Sequence, residues 1–118
     1  MNAVTSFNAM DTIQYLKQCA DGYRRELTEN IMPFWLEHGL DRKNGGVYTC
    51  LDREGRLMDT TKSVWFQGRF GFIAAFAYNN IERRAEWLEA SKSCIDFIEN
   101  HCKDENGRMY FEVTAEGK

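Results

Sequence analysis

"KSVWFQGRFGFIAAFAY" (Lys62–Tyr78) is apolar at nearly every position from Val64 onward, and only Gln67 and Arg69 interrupt it with strong polarity. A helix that packs on one side carries one apolar stripe, whereas one that is apolar around most of its circumference has neighbours on several sides. The stretch therefore predicts an inner helix over about residues 63–80. It is too short, and too interrupted, to cross a bilayer. Arg69 is the residue that needs explaining, because a buried charge is normally paired. Either a carboxylate such as Asp59 or Glu82 neutralises it, or it faces a pocket. Trp65 four residues before it and Phe72 three after it share its side of the helix. Gln67 lies about 200° around the axis from Arg69, which argues against a shared role.

The flanking helices are of another kind. Upstream, residues 1–10 read as a loose lead-in and Asp11 as an N-cap. Ile13, Leu16, Ala20, Tyr23, Leu27, Ile31 and Phe34 then recur at three- and four-residue steps, the pattern of an amphipathic helix. The only proline, Pro33, predicts a kink or interruption near its end, and Gly39 a stop. Downstream, "RRAEWLEASKSCIDFIENHC" (Arg83–Cys102) predicts a third helix with Leu88, Ser91, Ile95, Ile98 and Cys102 on its apolar face. Half-wet helices on either side of an apolar one suggest two concentric layers, the apolar one inside.

Between the helices lie turn signals. Asn44-Gly45-Gly46 and Asp52-Arg53-Glu54-Gly55 bracket a strand-favouring Val47–Leu51, a short hairpin. "NGGVYTCLDREG" (Asn44–Gly55) aligns with "NGRMYFEVTAEG" (Asn106–Gly117) at an offset of 62, with identical pairs at Asn44/Asn106, Gly45/Gly107, Tyr48/Tyr110, Glu54/Glu116 and Gly55/Gly117. Any two hairpins need similar turn residues. Each of these, however, follows an amphipathic helix, which makes the repeating unit amphipathic helix, hairpin, apolar helix. Six such units would close a ring of about 370 residues. These 118 residues read as a single incomplete domain, 1–118.

Composition narrows the function classes. The chain is 43% hydrophobic and 14% aromatic, with a net charge of −3, which fits a packed core and offers no basic face for nucleic acid. No secretory signal opens the sequence. Cys19, Cys50, Cys94 and Cys102 form no C-x-x-C pair, so reduced thiols and a cytoplasmic location are expected. Only His38 and His101 occur, both near the ends of amphipathic helices, where a C-terminal dipole favours them. With no clustered His or Cys at ligand spacing, no metal is expected.

"FWLEH" (Phe34–His38), "GGVYTCLDREG" (Gly45–Gly55) and "KSVWFQGR" (Lys62–Arg69), in that order, resemble the N-terminal part of the N-acylglucosamine 2-epimerase family. The likeness spans about Met32–Trp87, and the helical rhythm carries it along the chain. It implies an all-α fold with short β-hairpins, the N-terminal part of an (α/α)6 barrel with a central pocket. It further implies interconversion of N-acetylglucosamine and N-acetylmannosamine by proton transfer at C2, with Arg69 catalytic and Arg69 and Trp65 binding the sugar. Cellobiose 2-epimerases and mannose- or sulfoquinovose-directed isomerases share the motif. A non-catalytic helical-repeat binding module is the alternative of another class. No cofactor is required by the likeness, although ATP is an activator in this branch, and a homodimer is expected at full length. The family's acid and base are histidines on later inner helices, which neither His38 nor His101 matches. These residues alone are thus expected to be inactive and to self-associate through the uncovered faces of the inner helix.

Overall fold

The computed structural model describes residues 9–118, which form two compact units, one ending at Pro33 and one running Phe34–Lys118. In the first, helix α1 spans Ala9–Arg25 and a π-helical turn follows at Glu26–Ile31. Residues 1–8 of the expected lead-in lie outside the described residues, while Ala9 and Met10 belong to α1. Asp11 accordingly sits inside the first turn rather than capping it, where an acid still suits the positive end of the helix dipole. Helix α2, Met32–His38, carries Pro33 as its second residue. The Met32 amide bonds the Leu27 carbonyl, a five-residue reach. The wide turn shifts the hydrogen-bond ladder just before Pro33, where a missing N–H leaves no gap. This is how the expected interruption is accommodated.

In the second unit, α2 stops at His38, and Gly39 N–H closes the turn on Trp35 O at 2.8 Å. Strands β1 (Cys50–Leu51) and β2 (Leu57–Asp59) pair antiparallel with Cys50 opposite Asp59, the expected hairpin. Strand β3 (Lys62–Ser63) leads into α3 (Val64–Asn80), whose N-cap Ser63 accepts a bond from the Phe66 amide. Helix α4 is Ala85–His101, and strand β4 (Glu112–Val113) returns to pair antiparallel with β3, Lys62 opposite Val113.

The core lies between α3 and α4. Phe70, Gly71, Ala74 and Ala77 face Trp87, Ala90, Cys94 and Phe97, all buried. Gly71 allows the approach: a Cβ there would lie 3.3 Å from both Cys94 Cβ and Ile95 Cδ1, and Ser91 Oγ donates to Gly71 O at 2.7 Å. The expected face of α4 was therefore rotated by about one residue. Ser91, Ile98 and Cys102 are buried as expected, but Leu88 and Ile95 are exposed and Trp87, Ala90, Cys94 and Phe97 take the core. Ser91, on the expected face, supplies the bond that sets how α4 meets α3. Helix α3 buries one face and leaves Trp65, Phe72, Ile73 and Phe76 exposed, so its remaining apolar circumference has no partner among the described residues.

The 62-residue repeat is real at the level of hydrogen bonds. The Phe34 and His38 rings, and 63 residues later the Phe97 and His101 rings, meet at 5.0 Å between centroids, tilted by 55° and 48°. Tyr48 N–H bonds Gly39 O, and Tyr110 N–H bonds Cys102 O. Leu40 bridges Val47 as Lys103 bridges Met109. Gly55 N–H closes on Asp52 O, and Gly117 N–H on Thr114 O. Gly55 and Gly117, at φ of +90° and +89°, lie under the rings of His38 and His101, which a Cβ at either glycine would strike. The first loop, 41–46, is one residue longer than its counterpart at 104–108. Both histidines thus sit at helix C-termini as expected, half-buried as lids on turns.

Candidate functional site

Two arrangements gather chemistry-bearing side chains in the second unit, an open groove and a buried ionic node beside it. The groove, about 490 Å³, is lined from α3 by Val64, Trp65, Gly68, Arg69 and Phe72, from α4 by Ile98, and from the segment before β4 by Met109, Tyr110 and Phe111. Residues 65, 68, 69 and 72 share one helical face, which puts the charged and aromatic members on the same wall. Gly68 leaves that wall low between Trp65 and Arg69.

The Arg69 guanidinium lies 4.5 Å from the Trp65 ring centroid, a cation–π contact. Among the described residues it forms no ion pair. The two carboxylates weighed as its partners are engaged elsewhere. Asp59 accepts the Thr61 amide at 2.8 Å, and Glu82 pairs with Arg84. Trp65, 66% exposed, and Phe72, 64% exposed, line the groove rather than filling core. Gln67, on the far side of α3, is fully buried and pairs with Val47 like a strand neighbour: Val47 N–H donates to Oε1 at 2.8 Å and Nε2 donates to Val47 O at 2.6 Å. Its role is to fasten the loop after α2 to α3.

The ionic node escaped the sequence reading. Lys62 is 0% exposed, and its Nζ donates to Asp41 Oδ2 at 2.7 Å, Gly45 O at 2.8 Å and Ala115 O at 2.9 Å. All three ammonium protons have acceptors, and the Phe97 ring centroid lies 4.3 Å away. Asp41 also accepts the Lys43 and Asn44 amides and Asn44 Nδ2. Burial alone would push the Asp41 carboxyl up; Lys62 and the Asn44 donors outweigh it and bring the group down to about 2. A signal was available. Lys62 immediately precedes the N-cap of a helix, where the dipole disfavours a cation, so a lysine there calls for an acid. What the sequence could not say is that the acid stands 21 residues upstream. Met109, Tyr110 and Phe111 were likewise not foreseen as groove residues, although the repeat marks Tyr110 as the counterpart of Tyr48.

Among the described residues no helix is long and apolar enough to cross a membrane. Comparison with known proteins agrees with the fold. A sequence profile of the N-acylglucosamine 2-epimerase (GlcNAc 2-epimerase) family matches residues 45–118. The chain is 34% identical over 94 residues to N-acylglucosamine 2-epimerase of Homo sapiens, covering 76% of this chain and 22% of that protein. It is 36% identical over 98 residues to cellobiose 2-epimerase of Ruminococcus albus, covering 80% and 24%. The crystal structure of a sugar epimerase from a ruminal bacterium superposes with a TM-score of 0.74 at 34% identity, over 83% of this chain and 25% of that one. The chain thus spans about a quarter of the length of the relatives it matches, with the helices and hairpins of an (α/α)6 barrel. On the profile match, the ordered motifs and the shared fold, the chain belongs to the N-acylglucosamine 2-epimerase family.

Proposed function

We propose that the complete polypeptide containing this chain epimerises a sugar at C2, interconverting N-acetylglucosamine and N-acetylmannosamine, with Arg69 as a catalytic residue and Trp65 as a sugar contact. The observation that carries this reading is the Arg69 guanidinium, set on the groove wall beside an aromatic ring and paired with no carboxylate among the described residues. In the open-chain sugar, a base removes the C2 proton next to the aldehyde, and the electron pair moves to the carbonyl oxygen to give an enediolate. Return of a proton to the opposite face of C2 regenerates the aldehyde as the epimer. Negative charge grows on oxygen only along this path, so a fixed guanidinium stabilises the transition state more than the substrate. Arginine suits the task because it stays cationic and offers several donors in a rigid fork.

In this reading the proton-transferring groups are histidines beyond residue 118. His38 and His101 are committed to packing over Gly55 and Gly117. No cofactor enters the reaction. ATP is proposed as an activator and a homodimer as the working assembly, both from the family. Four cysteines that stand unpaired suit a reducing compartment such as the cytoplasm. Cellobiose as the substrate is the second reading, favoured by the 36% identity to the Ruminococcus albus enzyme.

The test is C2 proton exchange with deuterated solvent, offering N-acetylglucosamine, mannose and cellobiose in turn to the complete polypeptide. Exchange with N-acetylglucosamine is expected. Arg69→Ala should lower kcat/KM by about a hundredfold or more with the melting temperature unchanged. Near-normal turnover in that variant would remove Arg69 from the chemistry.

A further inference from the structure

The groove has one wall on α3 and another on the segment before β4; Val64, Ile98 and Val113 meet in one buried cluster beneath them, and the hydrogen-bonded seam between the two is short. The β3–β4 pairing is two residues long, shorter than a ladder that is stable by itself. Beyond it, Val64 N–H donates to Phe111 O at 3.1 Å, and Val113 and Ala115 are buried. A side-chain tie joins the same two segments, the bond from Lys62 Nζ to Ala115 O. That tie is rigid at its other end, because the ammonium is locked by Asp41 and Gly45 O, and Asp41 is locked in turn by Lys43 and Asn44.

We propose that Lys62 is a positioning residue for the groove: its bond to Ala115 holds the second hairpin against the entry to α3, and so sets the gap between the Trp65–Arg69 wall and the Met109–Phe111 wall. Lys62 does not line the groove itself. It acts through two backbone segments, seven residues ahead of Arg69 on one side and two residues past β4 on the other. An ammonium suits this better than a guanidinium. Three acceptors surround one nitrogen, and a planar fork spreads its donors over three nitrogens instead of directing them from one. The turnover arm of the test rests on the epimerase reading, whereas the structural arm does not.

That structural arm is amide hydrogen exchange in the complete polypeptide, resolved by residue. In the wild type the Val64 amide, in a first helical turn where amides ordinarily exchange freely, should exchange about a hundredfold slower than an unstructured amide. Exchange at the unprotected rate would mean that the seam frays, which overturns the proposal. In Asp41→Asn/Lys62→Met, which leaves no buried charge unpaired, Val64 should lose protection by about tenfold while Ala74 in mid-helix changes by less than about threefold. Equal loss at both sites is global destabilisation and overturns the proposal, as does no loss at Val64. Lys62→Arg retains the charge opposite Asp41 and should not restore Val64 protection; full restoration would show that charge balance is all Lys62 supplies. Turnover at C2 should fall about tenfold with the loss at Val64, and normal turnover in a variant with an open seam overturns the positioning role. A wild type that exchanges no sugar proton sinks the epimerase reading alone, leaving amide exchange to decide the role of Lys62.

Discussion

At Lys62 the chain buries an ammonium ion, and three oxygen acceptors stand in for its hydration. Removing only the cation strands the Asp41 carboxylate, so Lys62→Met should cost about 3–5 kcal/mol in denaturant unfolding, and adding Asp41→Asn should recover much of it. The same pair predicts an acid response. The Asp41 carboxyl, at about 2 in the fold, lies below its ordinary value near 4. Its contribution is therefore complete above about pH 4 and is lost as pH falls toward 2, an amount of about 2–3 kcal/mol. Unfolding free energies measured from pH 5 to 2 should fall less steeply in the double variant than in the wild type. Thiol chemistry should also sort by environment. Burial pushes Cys94 up to about 12, so at pH 8 it should resist a disulfide reagent until the protein unfolds, while exposed Cys50 reacts in the native state. Rapid native labelling of Cys94, followed by mass spectrometry, would contradict the packing of α4 on α3.

Helices and hairpins were legible for a local reason. Apolar periodicity and turn residues act over a few positions, so the limits of α3, the β1–β2 hairpin, the stop at Gly39 and the 62-residue repeat were readable from "FWLEH", "NGG" and their echoes. The exact facing of α4 was not, because Trp87, Ala90, Cys94 and Phe97 lie one position around from Leu88, Ser91, Ile95 and Ile98, and only packing on α3 chooses between adjacent rows. The fastening of hairpin to helix is equally non-local. Gln67 satisfies both the N–H and the C=O of Val47, so Gln67→Leu leaves two buried backbone groups unpaired. A loss of about 2–4 kcal/mol is expected, measured by chemical unfolding. The repeat makes a paired prediction as well. Gly55→Ala and Gly117→Ala each force a Cβ into a left-handed turn beneath a histidine ring, and each should destabilise by at least about 1 kcal/mol. A neutral result at one site and a large loss at the other would deny the equivalence of the two turns.

For the whole molecule, the matter is what covers α3. Trp65, Phe72, Ile73 and Phe76 leave a wide apolar surface on one helix, larger than isolated exposed side chains would make. Residues 1–118 expressed by themselves should self-associate, with light scattering giving a mass that rises with concentration. A monodisperse monomer that unfolds cooperatively would show that this face tolerates water.

From residue types and spacing came the two kinds of helix, the hairpin repeat and Arg69 as a charge to explain, because each rests on short-range pattern; the resemblance of the ordered motifs to a known family added the all-α barrel and Arg69 with Trp65 as site residues. Only the tertiary structure decided that Lys62 and Asp41 meet, that Gln67 serves Val47, and that Met109, Tyr110 and Phe111 stand across a groove from Arg69. Those pairings join positions about 20 to 50 residues apart. No periodicity encodes them; they are chosen by which buried polar groups can find partners once the helices pack.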